Sequence, residues 1–249
     1  MMTTTSVDQV PAIDRDEAVT LAATENDRAA HLIASLEGDD WSRPTDCPAW
    51  DVRALAAHVL GGMEAFTSVG QFVHQMRAAR KAAGDGPLID GMTAAQVAER
   101  AGLTTEELVE RLRAVGPRSA KARSRVPRLP RRMPMKQEVA GGTETWRMGY
   151  LLDVILTRDT WMHRVDIARA TDRPMVLTAD HDGRIVADVV AEWARRHGRP
   201  FTLVLDGPAG GTFTAGGGDE SLNVDAVEFC RILSGRATGA GLLTQEVPF

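Results

Sequence analysis

Apolar residues recur at helical spacing through most of the first 170 positions. From about residue 14 to 36, Val19, Ala22, Ala23, Ala29, Leu32, Ile33 and Leu36 mark one face at steps of mostly three and four, which predicts a helix closed by Gly38. Asp51 is a good N-cap for a second helix with the stripe Val52, Leu55, Ala56, Val59 and Met63. The pattern carries that helix to about residue 83 across Gly61-Gly62, and Gly84-Asp85-Gly86-Pro87 stops it. A short helical piece follows over 93–100. Thr104 and Glu107 then form a capping-box pattern ahead of Leu108 and Leu112. A long helix is predicted over about 144–170, where Leu151, Val154, Ile155, Trp161, Val165 and Ala168 repeat at three and four.

The pattern changes after residue 172. Residues 180–197 read as a helix ended by Gly198, with Arg195, Arg196 and His197 at the negative end of its dipole. Phe201-Thr202-Leu203-Val204-Leu205 alternates as a strand, Gly207-Pro208-Ala209-Gly210-Gly211 turns, and Thr212-Phe213-Thr214 returns. A helix over 225–233 and a short segment over 242–249 follow. The expected architecture is therefore α plus α+β. A disordered leader over 1–13 precedes a helical bundle of four main helices over 14–172 and a small α+β domain over 173–249. No internal repeat is present.

Composition narrows the function classes. Hydrophobic residues make up 43% of the 249 positions and charged residues 25%, which excludes a disordered or collagen-like chain. The net charge of −5 does not draw the chain to nucleic acid. No apolar run approaches the ~20 residues that span a bilayer, and Met1-Met2-Thr3-Thr4-Thr5-Ser6-Val7-Asp8 lacks a secretion signal. Two cysteines, Cys47 and Cys230, make no disulfide framework. The expectation is a cytoplasmic protein with neither a membrane nor a nucleic-acid partner. Residues 118–136 hold eight basic residues, three prolines and no acid. They read first as a solvated loop and second as a surface for small anions.

Motif chemistry is mostly excluded. There is no phosphate-binding GxxxxGK[ST] loop, no GxSxG nucleophile elbow, and no CxxC pair for zinc or redox work. The loop from Trp41 to Trp50 spends two tryptophans and two prolines, which predicts packing against the core. Of six histidines, His31, His74, His181 and His197 read as surface or edge residues. His58 borders the apolar stripe of the second helix. His163 follows Asp159 by four residues, so the two share one helix face. An Asp-x-x-x-His clip with one more histidine from a facing helix is a workable divalent-metal set. The same spacing also serves a plain surface hydrogen bond, and His58 a satisfied core position. Asp166 reads as an exposed helical aspartate or as an acceptor orienting His163, Cys47 as a small packed residue, and Trp50 and Trp161 as core.

Residues 39–59, from Asp39-Asp40-Trp41 through Cys47-Pro48-Ala49-Trp50-Asp51 to His58-Val59, resemble the signature of mycothiol-dependent maleylpyruvate isomerases of the DinB-like four-helix-bundle superfamily. Arg158-Asp159-Thr160-Trp161-Met162-His163-Arg164-Val165-Asp166-Ile167 is similar to that family's metal-ligand stretch. The C-terminal part, with Leu233-Ser234-Gly235-Arg236 and Val247-Pro248-Phe249, resembles its small sterol-carrier-like domain. The resemblance implies a divalent ion, usually Zn2+, held by His58, Asp159 and His163. It also implies a mycothiol-type thiol cosubstrate and a small electrophilic substrate. The implied activity is cis-trans isomerisation or thiol S-transfer. A non-catalytic relative with a structural metal clip, and a metal-dependent hydrolase, are the alternatives. One departure stands out: the family carries glutamate where this chain has Asp159.

Overall fold

Asp14 opens the first helix as expected, its carboxylate accepting from the backbone amides of Asp16 and Glu17, both at 2.9 Å. In a computed structural model, which describes residues 4–139, 142–217 and 220–249, the chain divides into two compact units. One is Asp14–Met175; the other is Val176–Phe249 together with the N-terminal residues through Ile13.

The first unit is built on α1 (Arg15–Ala34), α2 (Val52–Ala65), α3 (Val69–Ala83), α4 (Leu88–Ala98), α5 (Thr105–Arg125) and α6 (Arg128–Arg131). Next come the strands β2 (Pro134–Val139) and β3 (Gly142–Arg147), a turn α7 (Met148–Tyr150), a π-helical turn over Leu151–Ile155, and α8 (Leu156–Thr171). Helices α1, α2, α5 and α8 form a four-membered ring in which α1 and α2 each lie against both α5 and α8. Their shared core is wholly apolar at Ile33, Leu55, Leu60, Leu108 and Leu112, all fully buried. Helices α3 and α4 pack together as a side pair, with α4 also against α2. The pair is close because Gly91 lacks a side chain: a Cβ there would sit 2.2 Å from the carbonyl oxygen of Ala79.

Three expectations fail in this unit. The second helix does not run from 51 to 83. It ends at Ala65, and Ser68 caps a new helix by accepting from the Gln71 amide at 3.1 Å. The break thus falls at a capping serine, while Gly61-Gly62 stays helical. The basic run is not a solvated loop: it is the end of α5, then α6, then β2. The last helix does not begin near 144, because residues 142–147 pair antiparallel with 134–139, Trp146 opposite Met135 and Glu144 opposite Gln137. The β-formers Thr143, Thr145 and Trp146 alternate there and carry the strand.

The second unit contains β1 (Thr4–Ser6), a π turn over Ala179–Gly183, α9 (Arg184–His197), β4 (Phe201–Asp206), β5 (Gly211–Ala215), β6 (Ser221–Asp225) and α10 (Ala226–Leu233). The strands form one mixed sheet ordered β1-β5-β4-β6. β4 and β5 are antiparallel, as the turn between them requires; β4 and β6 are parallel, and so are β1 and β5. The leader is therefore not disordered over its described part: Thr4, Thr5 and Ser6 lie opposite Thr212, Phe213 and Thr214. Residues 1–3 of the expected leader lie outside the described residues. Trp193 anchors the core, its ring centroid 4.8 Å from Phe201 and 5.4 Å from Phe229, with its Nε1 donating to the Leu242 carbonyl at 3.1 Å. Among the described residues no helix is long and apolar enough to cross a membrane.

Candidate metal centre

The loop before α2 is held by its own polar atoms. Thr45 Oγ1 donates to the Trp50 carbonyl at 2.9 Å and accepts from the Cys47 amide at 3.1 Å, while the Trp50 amide donates to the Cys47 carbonyl at 2.9 Å. Arginine–aspartate pairs then fasten this region to the end of α8: Arg169 to Asp46 at 3.3 Å, Arg43 to Asp172 at 3.3 Å, and Arg173 to Asp40 at 2.7 Å. Asp51 caps α2 by accepting from the Ala54 amide at 2.8 Å. Together these contacts fix where Trp50 and Cys47 stand relative to the residues of α2 and α8.

His58 projects from α2 and Asp159 and His163 from α8, and the three converge. Asp159 Oδ1 lies 3.2 Å from His163 Nε2, and Asp159 Oδ2 lies 3.6 Å from His58 Nε2. Ligand atoms about 2.05 Å from a tetrahedral zinc stand about 3.3 Å apart, so this donor set fits a divalent ion. Both imidazoles are nearly buried, whereas the Asp159 side chain keeps 29% of its exposure and gives the trio an open side. Trp50 stacks on His58 with centroids 4.9 Å apart and planes at 30°, and the two imidazoles meet edge-on at 4.9 Å.

Behind His163 stands Asp166, fully buried. Its Oδ2 lies 3.0 Å from His163 Nδ1 and accepts from Cys47 Sγ at 3.6 Å. A carboxylate on Nδ1 leaves Nε2 as the nitrogen facing Asp159, the usual arrangement behind a metal-ligating histidine. Asp166 is thus not the exposed aspartate that i,i+3 spacing allowed. Burial opposes charge on His163, but the Asp159 charge, the hydrogen bonds the ring donates to Asp159 and Asp166, and its hydrogen bond with Cys47 outweigh it and hold the imidazole well above its usual range. Burial likewise opposes ionisation of Asp159, yet the neighbouring His163 and His58 hold its carboxyl well below the usual carboxylate range.

The profile of the mycothiol maleylpyruvate isomerase N-terminal domain family matches residues 22–168, a stretch that includes all of these groups. The chain belongs to this family. Two crystal structures of the mycothiol-dependent maleylpyruvate isomerase share the family's fold with it. One aligns with a TM-score of 0.56 and 19% identity over 98% of each chain. The other, a histidine-to-alanine mutant, aligns with a TM-score of 0.55 and 18% identity over 94% of this chain and 93% of its own. A search of curated proteins finds no match.

The remaining histidines of this isomerase-family chain stay outside the centre. His31 is exposed beside Asp27, and His74 pairs with Glu99 at 2.8 Å. His181, expected at a surface or edge, is buried, and His197 Nδ1 accepts from the Arg199 amide at 3.0 Å. Trp161 is core, as its helix position implied. Arg123 of α5, which the sequence reading placed in a solvated basic run, is instead only 4% exposed and feels the charges of both Asp153 and Asp159. Burial pushes its guanidinium down to about 10, against the pull of those two carboxylates. The signal was available: Leu112, Gly116, Ser119 and Arg123 follow steps of four, three and four, so the arginine falls on the buried stripe of its helix.

Proposed function

We propose that the protein is a divalent-metal enzyme that uses a mycothiol-type thiol as nucleophile toward a small electrophile, as a maleylpyruvate isomerase-like cis-trans isomerase or an S-transferase. The observation that supports this reading is the convergence of His58, Asp159 and His163 within the region matched by the family. These three residues would hold the ion, and a bound Zn2+ favours thiolate over thiol at neutral pH.

The chain's own residues supply the rest. Asp166 keeps His163 Nδ1 protonated and its ring fixed. Trp50 covers one face of His58 and limits water on that side. The exposed edge of Asp159 leaves an approach for thiol and electrophile. Thiolate addition to an activated cis double bond leaves a rotatable single bond. Expelling the same thiolate returns the trans product, whereas protonation of the adduct retains the sulfur as a thioether. Neither outcome requires a protein nucleophile. Asp159 is one methylene shorter than the family's glutamate, and its i,i+4 contact with His163 already reaches 3.2 Å.

The test is zinc stoichiometry by mass spectrometry, joined to a turnover screen of mycothiol with unsaturated diacids. The wild type should carry one zinc per chain, His58→Ala and His163→Ala none, and Asp159→Glu one. Full zinc in either histidine variant refutes the ligand set. Metal-dependent turnover of ester or amide substrates without thiol would replace the thiol reading with hydrolysis.

A further inference from the structure

Positive charge is concentrated in one stretch of the helical unit. Residues 118–136 carry eight basic side chains and no acid, in a chain whose net charge is −5. The fold uses two of the eight internally: Arg123 is buried in α5, and Arg131 pairs with Asp153 while its Nη1 donates to the Arg123 carbonyl at 3.0 Å. The other six, Arg118, Lys121, Arg125, Arg128, Arg132 and Lys136, are exposed, and among the described residues none of them forms an ion pair. Arg118, Lys121 and Arg125 follow steps of three and four, which puts them on one face of α5. The acidic first turn of α1 comes near through Arg15, whose Nη2 donates to the Val126 carbonyl at 2.7 Å, yet it leaves the six unpaired. Elsewhere in the same unit Arg43, Arg169 and Arg173 are each matched to an aspartate. The stretch also exposes two large apolar side chains, Leu129 at 78% and Met133 at 55%, at and just beyond the α6 turn. That turn is braced. Pro127 and Pro130 fix two of its φ angles, the Arg132 amide donates to the Leu129 carbonyl at 3.1 Å, and the Met133 carbonyl accepts from the Met148 amide at 3.0 Å.

We infer that this surface docks peripherally on an anionic lipid bilayer, with Leu129 and Met133 entering the headgroup layer and the exposed cations beside them meeting lipid phosphates. Single exposed apolar residues need no explanation, but here they stand on a rigid turn among unpaired arginines. Attachment to a membrane surface strengthens with both the apolar area buried and the attraction to anionic lipid, and the stretch supplies both. That attraction acts within a screening length of about 8 Å, so the cations nearest the bilayer outweigh the net negative charge spread over the rest of the chain. Two other occupants fit less well. A second copy docked through the same surface would bring like charges face to face across a two-fold contact. A nucleic acid would use the cations but leave Leu129 and Met133 against its phosphates.

The experiment sediments the whole chain with vesicles of phosphatidylcholine alone or with about 30% phosphatidylglycerol, at about 0.1 M salt. The protein should pellet with the mixed vesicles and stay in solution with phosphatidylcholine. Salt at about 1 M, where the screening length falls to about 3 Å, should release it. Arg128→Ala combined with Arg132→Ala should weaken binding by about 25-fold, about fivefold for each basic side chain taken from an anionic surface. Arg128→Lys with Arg132→Lys keeps the charge and should bind within about twofold of wild type. Leu129→Ser with Met133→Ser should weaken binding by about threefold or more. All four positions except Met133 are among the most exposed of their segment, and every variant should melt at the wild-type temperature. No sedimentation with the mixed vesicles, equal sedimentation with both kinds, or wild-type binding by the double alanine variant overturns the inference. So does tighter association with duplex DNA or polyglutamate that ignores the serine substitutions, which assigns the surface to a soluble polyanion instead.

Discussion

The Asp166→Asn substitution isolates the group behind the candidate ligand. The asparagine is nearly isosteric, but it removes the charge that accepts His163 Nδ1–H at 3.0 Å in a fully buried setting. A hydrogen bond to a charged group of this kind is worth about 1.5 to 3 kcal/mol. At about 1.4 kcal/mol per decade, that corresponds to a loss of roughly ten- to a hundredfold in zinc affinity, the range found when such outer partners are mutated. Competition against a chromophoric chelator at fixed pH measures the affinity directly. Cys47→Ala is the built-in comparison, because the thiol contacts the same carboxylate oxygen only at 3.6 Å. Its zinc affinity should shift by about threefold at most, as befits a weak S–H donor. An Asp166→Asn protein with wild-type zinc affinity would refute the orienting role, and so would Cys47→Ala losing as much as Asp166→Asn.

Four further outcomes are expected. Zinc uptake near pH 7 should release about one proton per site, read with an indicator dye in weak buffer, because His163 of the metal-free centre titrates well above its usual range. That raised value also means the imidazolium's contribution to metal-free stability is complete below about pH 6.5 and fades as pH climbs through the folded-state value; melts that rise with pH over that interval would contradict it. Glu25→Ala strips Arg164 of the carboxylate that accepts its Nε at 2.6 Å and Nη2 at 3.0 Å in a buried setting. It should cost about 3 to 5 kcal/mol in denaturant unfolding, much of it recovered by adding Arg164→Met. Gly91→Ala drives a methyl against the backbone at Ala79 and Ala83. The α3–α4 pair should lose about 2 to 3 kcal/mol, seen as a melting point lower by about 5 to 10 °C.

Local signals located most of the helices, and the reasons are physical. Asp51 and Thr104 cap the helices they were expected to cap, and Asp14 and Asp225 turn out to cap the helices expected to begin at them, because an N-cap is decided by a side chain and the backbone amides two or three residues away. The errors came where partners are distant in sequence or two patterns compete. The β2–β3 hairpin was hidden because residues 144–147 lead directly into an apolar-periodic helix, and the period of three and four was extended backwards over them. Strands β1 and β6 are short and pair parallel with residues that no turn brings nearby, so nothing local marks them. The convergence of His58 with Asp159 and His163 was suggested by one clip and a family likeness; spacing alone can put two side chains on one face but cannot say what faces them. Arg123 was legible as a stripe position, but it was overshadowed by the charge of the run in which it sits.

The pairing of Thr4–Ser6 with Thr212–Thr214 makes the helical unit an insertion within the smaller one. Joining chain segments about two hundred residues apart costs about 5 kcal/mol of closure entropy in a flexible polymer, more than a three-residue edge strand can repay. Collapse of the inserted helices shortens that loop, so topology favours an amino-terminal strand that is stitched on after the bundle has formed.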